Sequence, residues 1–179
     1  VPSLSSDLKI SGDTSGCLHT SHSIVGNLND DNFPDIVVAC SGFDAPPFPG
    51  AFSYTLISQD NGMYVAKVLP GIMHFSHRAA LLDINLNGLL DIVMADGKKL
   101  YFFLNDGSGN FSKPKTLVSK KGAYTVQAAD FNDDGFLDVY VANDFFLPDY
   151  FFINDGKKVN CLSLLGIGRL FFKLHYRFK

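Results

Sequence analysis

One oxygen-rich segment of nine residues occurs three times in this chain: Asn27–Asp35 (NLNDDNFPD), Asp83–Asp91 (DINLNGLLD) and Asp130–Asp138 (DFNDDGFLD). Oxygen-bearing side chains recur at positions 1, 3, 5 and 9. They are Asn27, Asn29, Asp31 and Asp35, then Asp83, Asn85, Asn87 and Asp91, then Asp130, Asn132, Asp134 and Asp138. A β-rich run follows each one: Ile-Val-Val-Ala, Ile-Val-Met-Ala or Val-Tyr-Val-Ala. A tight polar loop that feeds a strand, written three times, limits the chain to a repeated all-β architecture.

The loops start 56 and then 47 residues apart. Other features keep their phase. Short runs of apolar or small residues precede them, at Ser23, Arg78 and Val126. A third apolar run follows at Phe52, Leu100 and Tyr150, and then a turn: Asp60-Asn-Gly, Asn105-Asp-Gly or Asn154-Asp-Gly. Asn-Gly and Asp-Gly supply the positive φ of a β-hairpin. A fourth strand is expected at about 63–69 and 110–118. No segment combines helical periodicity with caps.

Four antiparallel strands per repeat is the pattern of a β-propeller blade. The expected organisation is an N-terminal extension or the end of a preceding blade at 1–18, blades at 19–71 and 72–121, and an incomplete blade at 122–156. Propellers close with roughly four to eight blades. About three blades therefore imply a partial propeller, with the remaining blades in a longer parent. Residues 157–179 fall out of phase and read as a basic, apolar tail. A closing strand is one alternative there. Another is a membrane-surface segment, in which Phe171, Phe172 and Tyr176 interleave with Lys173, Arg177 and Lys179.

Calcium takes six to eight oxygens at roughly 2.3–2.6 Å. Side chains 1, 3 and 5 of such a loop point inward, the carbonyl of position 7 (Phe33, Leu89, Phe136) adds a ligand, and the carboxylate at position 9 closes the cage. Up to three calcium sites follow. Gly88 and Gly135 permit the sharp turn at position 6, where Asn32 is expected to replace glycine at positive φ. An EF-hand would need Glu at position 12; Val38, Met94 and Val141 stand there. Loop three carries three ligand carboxylates against two in each of the others, so it is expected to bind tightest.

Charge agrees with this reading. Residues 157–179 hold six of the 15 Lys/Arg and no acid, leaving nine basic groups against 18 Asp over residues 1–156. That acidic body argues against nucleic acid as a partner. There is no Glu, and nine of the Asp lie inside the loops. No 18-residue apolar run is present, so no transmembrane helix is expected. Cys17, Cys40 and Cys161 lack a framework spacing, and one disulfide is open if the protein is exported.

The segment Ala129–Asp144, continued by Tyr150–Gly156, resembles the FG-GAP/VCBS repeat family, found in the propeller heads of integrin α-subunits. This third unit is similar to the blades of cartilage acidic protein-like proteins. The resemblance spans about residues 19–156. It departs from the family at Asn27 and Asn32, and it lacks the Phe-Gly…Gly-Ala-Pro signature; Ser41-Gly-Phe-Asp-Ala-Pro-Pro stands near that place. It implies an extracellular, cell-surface or periplasmic propeller that binds calcium at the positions above and serves adhesion or recognition of a protein or glycan. Fold does not fix function. The rivals are a propeller supporting a calcium-dependent polysaccharide lyase or hydrolase, and a lectin.

His19-Thr-Ser-His22 and His74-Phe-Ser-His77 read as structural residues of the repeat, Asn110-Phe-Ser112 as a chance glycosylation sequon, and Lys98 and Lys99 as solvated turn residues. No nucleophile–base pair or phosphate-binding loop is present, so no enzyme is expected. The variable connections Ser41–Gly50 and Asp144–Asp149 are the expected contact surfaces.

Overall fold

The computed structural model describes residues 9–97, 99–118, 123–143, 148–157, 159–164 and 171–172. These contain strands and no helix, in three sheets. A short β1 (Ile10–Ser11) precedes the first sheet, formed by β2 (Thr20–Gly26), β3 (Asp35–Cys40), β4 (Tyr54–Ser58) and β5 (Tyr64–Val68). The second sheet is β6 (Arg78–Leu82), β7 (Asp91–Ala95), β8 (Leu100–Phe103) and β9 (Lys115–Val118). The third is β10 (Ala123–Ala129), β11 (Asp138–Asn143), β12 (Asp149–Asn154) and β13 (Val159–Leu164), with β14 (Phe171–Phe172) at its edge.

Within each sheet, consecutive strands pair antiparallel as a meander; only β1 runs parallel, beside β5. Each nine-residue loop joins the first strand of a sheet to its second. The sheets stack face to face as propeller blades and do not close a ring. Val37, Ala39 and Ile57 of the first sheet meet Leu81, Ile92, Met94 and Phe103 of the second. Its other face, Leu82, Val93, Ala95 and Leu100, meets Val126, Val139, Val141 and Phe152 of the third.

Every residue of β7 is buried. A strand covered on both faces reads as a continuous apolar run, which accounts for Ile-Val-Met-Ala. The outer blades bury one face more fully than the other: Val25 on β2 remains 62 % exposed.

The third blade does not stop at residue 156. Asn154-Asp-Gly156 turns the chain, and β13 pairs with β12 from Asp149↔Leu164 to Asn154↔Val159. The sequence hid this fourth strand because it bears no likeness to Asn110-Phe-Ser; the strand forms from generic β-propensity in Val-Asn-Cys-Leu-Ser-Leu. The side chains on which the membrane-surface reading of the tail depends lie outside the described residues. No helix among the described residues is long and apolar enough to cross a membrane. Cys17 and Cys40 form a disulfide that ties the entry segment to the end of β3.

Candidate metal loops

All three loops place their fourth residue in the left-handed region: Asp30 (φ 59°), Leu86 (62°) and Asp133 (61°). Gly88 (86°) and Gly135 (88°) add a second left-handed residue at position 6. Asn32 does not adopt this conformation, contrary to expectation. The cause lies at position 1. The Asp83 carboxylate accepts hydrogen bonds from Asn87 N (3.0 Å) and Gly88 N (2.6 Å). Asp130 accepts likewise from Asp134 N (3.1 Å) and Gly135 N (2.8 Å). A carboxylate thus draws the sixth N–H inward and forces the turn. Asn27 instead donates its amide to Asp31 O, so nothing turns the backbone at Asn32.

Leu86 holds its left-handed conformation without a glycine's freedom or an Asx side chain. That conformation costs roughly 1–2 kcal/mol in an L-residue. Leu86→Asn is expected to raise stability by about 0.5–1 kcal/mol, read as a higher urea midpoint in the presence of chelator.

In loops two and three the side-chain oxygens of positions 1 and 3 converge on the N–H of position 5. Asp134 N donates to Asp130 Oδ1 and also to Asn132 Oδ1 (3.2 Å). Asn87 N does the same to Asp83 Oδ1 and Asn85 Oδ1 (3.2 Å). Position 5 then accepts from the N–H of position 7: Asp31 from Phe33 (2.7 Å), Asn87 from Leu89 (3.0 Å) and Asp134 from Phe136 (3.0 Å). The donor set is entirely oxygen, as a hard cation requires. Among the described residues no three His, Cys or Asp side chains form a metal-holding group by themselves. A cation here would use Asn and main-chain oxygens together with carboxylates. At loop one, Asn29 and Asp31 share an open cavity with Asp60, a further acid from the hairpin beside a loop that lacks the leading Asp.

The ninth residue has a second role that the sequence reading missed. Asp35, Asp91 and Asp138 are fully buried. One oxygen of each accepts the N–H of loop position 2: Leu28 (2.7 Å), Ile84 (3.0 Å) or Phe131 (3.0 Å). The other accepts the N–H of the first hairpin residue, Ser58, Asn105 or Asn154, each at 2.8 Å. The carboxylate therefore latches the loop to the hairpin of its own blade. The in-phase hairpins after the third strands were the available signal. Burial pushes the Asp91 carboxyl up and the Asp83 charge adds to this, against the main-chain N–H bonds it accepts. Asp130 is held below the usual carboxylate range, chiefly by the Gly135 N–H.

The opposite rim, formed by the connections after β3, β5 and β7, carries a row of rings. Phe48 meets Phe75 at 5.4 Å, Phe75 meets His77 at 5.2 Å, and His77 lies over Tyr124 at 4.4 Å. Phe48 is held at φ 53° and stays exposed, as do Phe43, Ile72 and Met73. Of the predicted contact segments, Ser41–Gly50 lies on this rim, while 144–147 and Lys98 fall outside the described residues. Lys99 is exposed, 6.0 Å from the Tyr101 ring.

The histidine pairs are not equivalent. His22 lies on β2 opposite Ala39, five residues before its loop, whereas His77 precedes β6, six before its own. His74 is buried against Tyr101 (4.2 Å) with Nδ1 3.5 Å from Asp96, and His19 is exposed. His22 Nδ1 accepts from Ala79 N across the seam (3.4 Å). Desolvation, then the nearby Arg78 charge, lowers its pKa below 6.5. The folded state thus prefers neutral His22. Its contribution is full above about pH 6.5 and falls as the unfolded chain takes up its proton below that value. Loss of stability between pH 7.5 and 5.5 is expected to be smaller in His22→Gln than in the wild type, by denaturant titration.

A comparison with curated proteins finds no match. A comparison with family models matches residues 83–141 to the FG-GAP-like repeat. That span runs from the second loop through β7, β8, β9, β10 and the third loop into β11, and so takes in both glycine-bearing loops.

Proposed function

We propose that the chain is a set of calcium-stabilised propeller blades, non-enzymatic, that recognises a protein or glycan partner in an extracellular or periplasmic setting. The observation that carries the reading is the convergence, in loops two and three, of side-chain oxygens from positions 1 and 3 on position 5, in loops closed by a buried ninth carboxylate. Bound calcium would supply positive charge where these oxygens crowd. The chain's own residues orient them, through N–H bonds that fix each carboxylate before a cation arrives. Asp130, Asn132, Asp134 and Asp138 form the fullest set; Asp83, Asn85, Asn87 and Asp91 follow, then Asn27, Asn29, Asp31 and Asp35, with the carbonyls of Phe33, Leu89 and Phe136 as further ligands.

The Cys17–Cys40 disulfide supports an oxidising compartment. The exposed rings of the opposite rim support recognition there. Exposed apolar patches mark interaction sites, and Phe48 keeps an unfavourable backbone conformation of the kind that clusters at functional sites.

Calcium titration by calorimetry tests the reading. Asp134→Ala should abolish the tightest site and leave the weaker ones. An unchanged tightest site would contradict the ranking, and no heat of binding at all would contradict the function. A glycan array with and without chelator then separates a glycan partner from a protein partner.

A further inference from the structure

We infer that Asn105 is a positioning residue that couples cation occupancy of the first loop to that of the second across the seam between their blades. This rests on the calcium reading above. Asn105 is 5 % exposed, and both polar atoms of its side chain and its main-chain N–H are bonded. Its main-chain N–H donates to Asp91 Oδ1 of the second loop (2.8 Å). Its amide Nδ2 donates to Leu90 O of the same loop (3.0 Å) and to Leu28 O of the first (2.8 Å). Its Oδ1 accepts from Gly107 N (3.0 Å), which fixes the amide orientation.

Leu28 is itself held by the first loop, because its N–H donates to Asp35 Oδ2 (2.7 Å). Its side chain is buried in the core between the first two sheets. A chain of hydrogen bonds therefore runs from the ninth carboxylate of one loop to the ninth carboxylate of the next, through Leu28 and Asn105. Any shift of Asp35 toward a cation pulls on Leu28, and Asn105 transmits that pull to Asp91.

The hairpin that carries Asn105 cannot easily yield. A Cβ at Gly109 would stand 2.8 Å from Ile57 Cδ1 of the first blade. Lys67 Nζ of the first blade donates to Ser108 O (3.0 Å) and Asn110 Oδ1 (2.9 Å). The corresponding residue of the first blade is Ser58, whose hydroxyl turns back to its own Asp35 (2.8 Å). Serine thus completes the hairpin latch without reaching across a seam. This makes Asn105→Ser the variant that removes the link while keeping the local fold.

Calorimetric calcium titration of the full chain tests the coupling, with the loop-two site identified by its loss in Asp83→Ala. Disabling loop one by Asp31→Ala should weaken loop two roughly fivefold when Asn105 is present. It should weaken it by no more than about twofold when Asn105→Ser is also present. Equal weakening in both backgrounds, or none in the first, overturns the coupling. A second readout is amide hydrogen exchange at Leu28 in the Asp31→Ala chain. Calcium entering loop two should slow that exchange with Asn105 and leave it unchanged with Ser. Independent calcium binding by the two loops would refute the coupling alone, whereas a wild-type chain that binds no calcium would refute the calcium reading as well.

Discussion

Asp91→Ala is expected to destabilise the chain by about 3 kcal/mol even in chelator. Asp91 is fully buried, and its two oxygens accept N–H groups from Ile84 and Asn105. Alanine removes both acceptors and puts nothing in their place. A buried N–H left unpaired costs roughly 1–3 kcal/mol, and here two lose their partner. The buried carboxylate carries its own desolvation cost, which keeps the total below the sum of the largest values. For a chain of this size that corresponds to a fall in Tm of about 6–12 °C.

Asp91→Asn should cost less, because the amide oxygen still accepts one N–H. Asp134→Ala is the contrasting case. Its side chain is exposed and bonds within its own loop, so in chelator it should cost under about 1 kcal/mol. Urea titration of the three variants measures the order. An Asp91→Ala chain as stable as the wild type would show that the ninth carboxylate is no latch.

The second large effect is that of calcium itself. A ligand that binds only the folded state stabilises it by about 2.7 kcal/mol at a hundredfold excess over Kd. One filled loop should therefore raise Tm by roughly 5–10 °C over the chelated chain, and further filled loops should add to this. Asp83 repels the Asp91 carboxylate, and a bound cation would offset that repulsion. Magnesium should do less, since it gives up its waters reluctantly. The calcium gain should shrink most in Asp134→Ala, because loop three has the largest carboxylate set.

The sequence made the blades legible wherever a motif kept its phase. The oxygen-rich loops, the β-branched runs and the Asx-Gly hairpins fell at matching positions in β3, β7 and β11, and they set the strand order. β13 escaped because it forms on generic β-propensity, which no motif announces. The latch role of Asp35, Asp91 and Asp138 escaped because its partners, Ser58, Asn105 and Asn154, lie 14 to 23 residues further on. Such a pairing depends on register. Asn32 failed for a related reason: its backbone follows the side chain at Asn27, not its own tolerance of positive φ. The histidine pairs resembled one another as text but stand at different distances from their loops, which puts His22 on β2 and His77 ahead of β6.

Native mass spectrometry of the full chain, buffer-exchanged with micromolar calcium, tests the central claim most directly. The account predicts calcium adducts up to three per chain, one fewer in Asp134→Ala, and none after chelation. A folded chain that carries no calcium under these conditions would contradict it, and would leave the three loops as hydrogen-bonded corners and nothing more.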